Sequence, residues 1–422
     1  MELPLAIFQA TLALAGVVLF VPSAVLLLEC AAAWLPRRRA GGAGDTAGES
    51  RGRGRMAVLI PAHNESATLP ATLAAVMPQL AEGDRVLVVA DNCTDDTAGR
   101  ARAAGAEVLE RTDAVRRGKG YALAAGLEHL GGEAGRVPDV VVLLDADVPP
   151  PPGSLDTLAR QARSSGRPMQ AVYLLRAVAT DSPRAVISEL AFLVKNRVRP
   201  LGLHRLGCPV LLTGTGIAVP WAALRRVDVA SGDLVEDMKL GLDLLRAGSP
   251  PLLCEDVTLQ GELPGDAKAA LTQRTRWEQG HLSIIRRYAL PMLALGLRRP
   301  GSGALAVGLD LLVPPLALLV AMVGLVVLGA ALGVAVQRVL TGAAGWSLWC
   351  ALPAVMSAAA VAAAVVLSYV GFGRHLPLRA LAAVPLYIVW KLPLYLRALT
   401  GRGETKWVRT ARNAAESDGP HP

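Results

Sequence analysis

Asp145 and Asp147 stand two residues apart directly after the apolar run Val140–Leu144, and this is where residue type first suggests chemistry. A strand turns successive side chains to opposite faces, so acids at i and i+2 leave it on one side and offer paired oxygen donors to a hard divalent cation. A solvated strand end can carry the same pattern, so the pair alone decides nothing. Two later groups extend it: the adjacent acids Glu236-Asp237, and Gln273-Arg-Thr-Arg276-Trp277, which joins an amide, a guanidinium suited to bidentate contact with an anion, and a flat aromatic face.

The elements that must position these residues are legible around them. Met56–Pro61 is a short apolar run, after which Ser66 is placed to cap a helix through Leu69, Leu73, Val76 and Leu80. Arg85–Ala90 repeats the move, with the Asx and Thr cluster Asp91–Thr97 capping a helix over Ala98–Ala104; Ala106–Leu109 and Val140–Leu144 supply further strands. Such alternation predicts an α/β domain with a mostly parallel sheet whose functional loops lie at the carboxyl ends of the strands. His63-Asn64-Glu65, Asp91 and Asp145/Asp147 then meet in one crevice. There Asp91 can accept from a base or ribose donor, while Arg117-Gly-Lys119-Gly120 offers backbone and a cation to phosphate. The chain contains neither G-x-G-x-x-G nor a Walker A loop, which argues against a dinucleotide or a P-loop triphosphate site.

In this order the motifs resemble the membrane-integrated family-2 glycosyltransferases of GT-A fold, the group that includes cellulose, chitin, hyaluronan and poly-N-acetylglucosamine synthases. The resemblance covers about Met56–Tyr288. It implies an inverting transfer from a nucleotide-sugar, a UDP-sugar in the family's usual case, with Mg²⁺ or Mn²⁺ at Asp145 and Asp147. It gives the donor Glu65, Asp91, Lys119, Asp145, Gln273 and Arg276 as contacts, and the acceptor Thr213, Gly214 and Trp277, within Leu212-Thr-Gly-Thr-Gly216 and the Q-x-x-R-W motif. Asp237 becomes the general base and Glu236 a second catalytic acid that positions the site. The implied acceptor is a lipid-linked or growing glycan.

Hydrophobic residues make up 52% of the 422, concentrated in Leu3–Trp34, Gly303–Val336, Trp346–Val370 and Ala380–Leu399. A helix needs about 20 apolar residues to cross a bilayer. The first segment is too long for a signal peptide and lacks a basic leader, so it reads as a retained anchor. The expected organisation is an N-terminal transmembrane anchor (1–35), a basic flexible linker (36–55), a cytoplasmic GT-A domain (56–280), an interfacial amphipathic helix (281–300), a C-terminal transmembrane region (301–400) and a basic cytoplasmic tail (401–422). The net charge of +8 includes six arginines within Pro36–Arg55, which is the positive-inside pattern of a multi-pass protein, not a nucleic-acid surface with interleaved aromatics. Ala380–Leu399 carries Lys391 and Pro393 and precedes a basic tail, so it reads as re-entrant or interfacial. Asp310 and Pro314-Pro315 either line a polar passage in the second span or are solvated near its end. Five scattered cysteines without C-x-x-C indicate reduced thiols, and the Ala, Gly and Arg content suggests a bacterial inner membrane.

Simpler readings stand beside these. Acids at the start of Glu236–Leu245 favour a helix dipole, Trp277 and Arg276 suit a membrane interface, Thr213–Gly216 is also an ordinary glycine turn, and His63 and His281 lack companions at metal spacing. A transporter or flippase for a lipid-linked glycan, or a non-catalytic binding subunit, would explain the apolar segments but leave the acids without work. Three or four helices make a thin wall for a glycan channel, so either an oligomer or export partner completes a pore or one sugar is added to a lipid-bound acceptor.

Overall fold

The central strands are runs of Val, Leu, Ile and Ala because both of their faces are covered, and a strand buried on both sides needs apolar residues at every position. A computed structural model of the chain describes residues 2–37, 52–132, 135–176, 182–262, 267–342 and 345–399. Most of the expected linker and all of the expected tail lie outside these described residues. The first half comprises α1 (Glu2–Ala32), β1 (Met56–Ala62), α2 (Leu69–Val76), β2 (Arg85–Asp91), α3 (Thr97–Ala103), β3 (Glu107–Arg111), α4 (Lys119–Gly132), β4 (Val140–Leu143) and α5 (Ser154–Ser165). The second half begins with β5 (Met169–Arg176), α6 (Pro183–Leu193), α7 (Arg199–Arg205), β6 (Ile217–Pro220), α8 (Trp221–Leu224), α9 (Glu236–Arg246) and β7 (Leu252–Glu262). It ends with α10 (Ala267–Arg298), α11 (Ala304–Leu311), α12 (Leu316–Thr341), α13 (Gly345–Phe372) and α14 (Val384–Leu399).

One seven-stranded sheet runs in the order β3-β2-β1-β4-β6-β5-β7. Strands β1 to β4 pair in parallel, β6 runs antiparallel to both β4 and β5, and β7 is parallel to β5. The sheet is therefore mostly parallel, as the alternation predicts. One face packs against α2, α3 and α5 through Leu73, Ala101 and Leu158; the other packs against α4 and α9 through Leu123, Leu130 and Leu244. Its topology sets the site: β1, β2, β4, β5 and β7 all end at one edge, and antiparallel β6 begins there.

Among the described residues three helices are long and apolar enough to cross a membrane, Pro4–Ala32, Leu316–Leu340 and Leu348–Phe372. The first of them, α1, meets α7, where a Cβ on Gly202 would stand only 1.9 Å from the Glu29 carbonyl oxygen, so only glycine permits this approach of α7 to α1. Beside it Arg199 Nε donates to Glu29 Oε2 at 2.7 Å, and Arg199 Nη2 donates to the Asp310 carbonyl at 2.8 Å and to its carboxylate. All three residues are buried. This ion triad ties α1, α7 and α11 together and uses Asp310 as an anchor.

Several expected boundaries differ. The helix after β1 begins at Leu69 with Thr68 before it, and Ser66 instead gives its backbone N–H to Asp95 Oδ2 at 3.0 Å. The apolar segment Gly303–Val336 is two helices, α11 and α12, because Pro314 and Pro315 lack amide donors and restrict the residue before each. Asp310 therefore lies on α11, outside the span. Residues 281–298 continue α10 without a break from the Q-x-x-R-W motif, and Ile284, Ala289 and Met292 pack on the domain's own α9 and α11, leaving Arg286, Arg287, Leu290 and Leu297 outward. Helix α14 has 16 residues, about 24 Å at 1.5 Å per residue, short of a bilayer's ~30 Å hydrocarbon core.

Candidate active site

The loops after β1 and β2 hold each other. Asn64 and Asn92 take positive φ of 54° and 53°, a region asparagine tolerates, and this turns both chains at the sheet edge. Asn64 Oδ1 receives the Thr94 N–H at 2.7 Å, Thr97 Oγ1 receives the Glu65 N–H at 2.8 Å, and the His63 ring contacts the Asp91 carbonyl through Nδ1 at 2.7 Å. Asp91 is fixed by Arg111, whose Nη1 donates to Oδ1 at 2.5 Å from the end of β3. Sequence reasoning overlooked Arg111, although its place at the end of the third strand was the available signal.

Because β6 runs against β4, the loop before it lies directly over Asp145. Thr215 Oγ1 receives the Asp145 backbone N–H at 2.9 Å, and the Gly216 N–H reaches the Leu143 carbonyl at 3.0 Å. Gln170, buried inside β5, shapes the same loop: its Oε1 receives the Thr213 N–H at 2.8 Å and its Nε2 donates to the Thr215 carbonyl at 2.9 Å. This residue was also missed; a lone amide within an apolar strand was its trace in the sequence. Gly216 has φ of 69°, and a Cβ there would stand 2.4 Å from Leu259 Cδ1 and 2.9 Å from Ala171 Cβ. Gly216→Ala is expected to destabilise the protein by roughly 1–3 kcal/mol through strain and overpacking, read as a lower thermal midpoint in detergent.

Lys119 opens α4 and points into the acids. Its Nζ donates to Asp145 Oδ1 at 2.5 Å and to the Gly214 carbonyl at 2.6 Å, and it lies 3.9 Å from Glu236 Oε1. Burial alone would lower its pKa, but Asp145 and Glu236 outweigh that and hold the ammonium above the usual lysine range. Burial pushes the Glu236 carboxyl up to about 7 against the pull of Lys119, with neighbouring Asp237 adding to the rise. Asp237 Oδ2 receives the Gly214 N–H and its Oδ1 receives the Met238 N–H at 2.8 Å, so the carboxylate sits at the amino end of α9 where the helix dipole favours it.

Strand β7 leads into α10, and Gln273, Trp277 and His281, spaced by four, share one stripe of that helix. The Trp277 ring packs 5.9 Å from Phe192, which in turn meets Tyr173 edge-on at 5.8 Å. Among the described residues Gln273 Oε1 is buried without a hydrogen-bond partner. Glu65, Asp91, Lys119, Asp145, Asp147, Thr213, Gly214, Glu236, Asp237, Gln273, Arg276 and Trp277, the sequence-derived candidates, all border one cavity of about 1280 Å³.

Residues 53–280 match the family description "Glycosyltransferase like family 2", more than half of the chain. The chain belongs to glycosyltransferase family 2. The family-2 match closes just beyond Trp277, so it takes in every candidate residue. Over 100 residues this glycosyltransferase is 38% identical to glucosyl-3-phosphoglycerate synthase of Mycobacterium tuberculosis, an alignment covering 22% of this chain and 29% of that protein's length. A crystal structure of the same synthase with Mn²⁺, UDP-glucose and phosphoglyceric acid aligns at 21% identity over 52% of this chain and 75% of that one, with a TM-score of 0.33. A mannosyltransferase of Pyrobaculum calidifontis, solved with GDP-mannose and Mn²⁺, aligns at 19% identity and a TM-score of 0.52, covering 85% of this chain and 98% of that one. That likeness concerns the fold, and its span reaches beyond the sheet domain into the flanking helices.

Proposed function

We propose that this chain is an inverting glycosyltransferase that moves a sugar from a nucleotide-sugar, most simply a UDP-sugar, to a lipid-linked or growing glycan acceptor at the cytoplasmic face of a bacterial inner membrane. The observation that supports it is a convergence: strand-end acids, the Glu236-Asp237 pair and the Gln273–Trp277 motif border one cavity, which also reaches Leu26 and Leu316 on two of the long apolar helices. Asp91 and Glu65 sit at the pole suited to a nucleoside, Arg276 and Lys119 at positions suited to the diphosphate, and Trp277 offers an apolar face to a sugar ring.

The donor set also fits a divalent cation. Asp145 and Asp147 border the cavity, and Asp145 already carries a positive group, the Lys119 ammonium. Among the described residues no group of three His, Cys, Asp or Glu gathers to hold a metal, so Mg²⁺ or Mn²⁺ here would be held by the two aspartates with oxygens of the diphosphate. Such an ion, when bound, would neutralise charge on the departing nucleoside diphosphate. Lys119 is then free to turn from Asp145 to the diphosphate, and Asp237 takes the proton of the attacking hydroxyl.

The test is release of nucleoside diphosphate by the detergent-purified protein across UDP- and GDP-sugars with membrane lipids present. Release from one donor, abolished by EDTA and restored by Mn²⁺ or Mg²⁺, is the expected result. Absence of release from every donor, with or without metal, would sink the transferase reading in favour of a binding subunit.

A further inference from the structure

The cavity has a second pole that the donor chemistry does not use. Between α6 and α7 the helix continues as a π-helical stretch, Val194–Val198, and such stretches recur at functional sites. Lys195 and Asn196 on this stretch, with His281 at the inner end of the α10 stripe, border the cavity. Gln273 and His281 are eight residues apart, about 12 Å along the helix axis, so this pole is set well back from the phosphate end of the donor.

Its polar groups are unsatisfied. His281 and Asn196 are 3% and 4% exposed, and among the described residues neither His281 Nε2 nor Asn196 Oδ1 has a hydrogen-bond partner. Buried polar atoms in native proteins are almost always paired, so vacant ones beside a cavity point to a ligand. The charges are uneven as well. Arg199 is neutralised by Glu29 and Asp310, and Lys391 is paired with Glu278. Lys195 lies close enough to Asp237, Glu278 and Asp310 to feel their fields, yet among the described residues its ammonium has no hydrogen-bond or ion-pair partner. The wall on this side is apolar: Leu26 of α1, Val313, and Leu316 and Ala317 of α12.

A cation and two unpaired polar groups beside an apolar wall suit an anion attached to a hydrocarbon chain. We propose that Lys195, with His281 and Asn196, receives the phosphate of a lipid-phosphate acceptor. His281 donates through Nε2–H, and the Asn196 amide presents its NH₂ when turned about its terminal bond. The chain of such an acceptor lies against α1 and α12, and the attacking hydroxyl is the P–OH of its monoanionic phosphate: that oxygen bonds to the sugar's anomeric carbon, the bond to the nucleoside diphosphate breaks, and the proton passes to Asp237. This proposal rests on the transferase reading and names its acceptor.

Isothermal titration of the full chain in a neutral maltoside detergent, with UDP or GDP and Mn²⁺ present, tests it. The probes are farnesyl phosphate, farnesol and inorganic phosphate. The wild type is expected to bind farnesyl phosphate at least tenfold more tightly than farnesol. Lys195→Met should lose at least tenfold in affinity for the phosphate lipid, and Lys195→Arg should stay within threefold of wild type. Inorganic phosphate binding as tightly as the lipid, with the same dependence on Lys195, supports the anion site and shifts its source to a soluble acceptor. Equal binding of farnesyl phosphate by wild type and Lys195→Met overturns the proposal, as does its failure to bind a wild type that still binds nucleotide. Failure of wild type to bind UDP or GDP counts against the donor reading instead, so the two failures are told apart.

Discussion

Asp237→Asn is expected to lower sugar transfer by roughly 10²–10⁴-fold, the usual worth of a positioned general base, while nucleotide affinity stays near that of the wild type. The carboxylate is held for the role by two backbone donors, Gly214 N–H and Met238 N–H, one on each oxygen. Asparagine keeps the shape and can accept only one of those bonds, so a thermal melt must accompany the kinetics to separate lost chemistry from lost fold. Glu236→Gln is the matched control. Glu236, raised to about 7 by burial, is also well poised to exchange a proton near neutrality. A steady-state comparison decides between them: if Glu236→Gln loses as much turnover as Asp237→Asn, the base is not Asp237 alone.

Arg199→Met should be the most damaging single change to stability, about 3–5 kcal/mol, because it strands two buried carboxylates without their shared counter-ion. Glu29, Arg199 and Asp310 are 2%, 6% and 5% exposed, so water cannot replace the guanidinium. Neutralising the acids as well, in Glu29→Gln/Arg199→Met/Asp310→Asn, is expected to recover much of the loss, since the penalty lies in the unpaired charges. Thermal unfolding of the single and triple variants in one detergent measures both. A single variant that melts with the wild type would show that the triad is not what binds α1 to α7 and α11.

The strand ends were readable because burial on both faces forces apolar runs, and each run stops at a polar residue: Asp91 at the last position of β2, Asp145 just past β4. Residues acting from inside an element were not. Gln170 lies within β5 and bonds across to the β6 loop, and nothing in local sequence shows which strand will run beside which. Lys195 and Asn196 were invisible for a related reason, since their meeting with His281 depends on how α6 packs against α10. The roles given to Asp237 and Gln273 came from the ordered likeness to a family, while spacing alone described them equally well as helix-start acids and an interfacial residue. Helix limits moved where a backbone rule outranked hydropathy, as the paired prolines did between α11 and α12.

The triad joining α1 to the domain has a consequence in time. Glu29 and Arg199 are 170 residues apart in the chain, and Arg199 and Asp310 a further 111. At about 5–20 residues per second, a ribosome needs roughly 10–30 s to reach the arginine after the first acid is made. Throughout that interval α1, a helix long and apolar enough to cross a membrane, carries an acid without its counter-ion. Glu29 lies in the last turn of α1, where interfacial water can solvate it while it waits. The same acid placed in the middle of a membrane-crossing helix would face hydrocarbon for the whole delay.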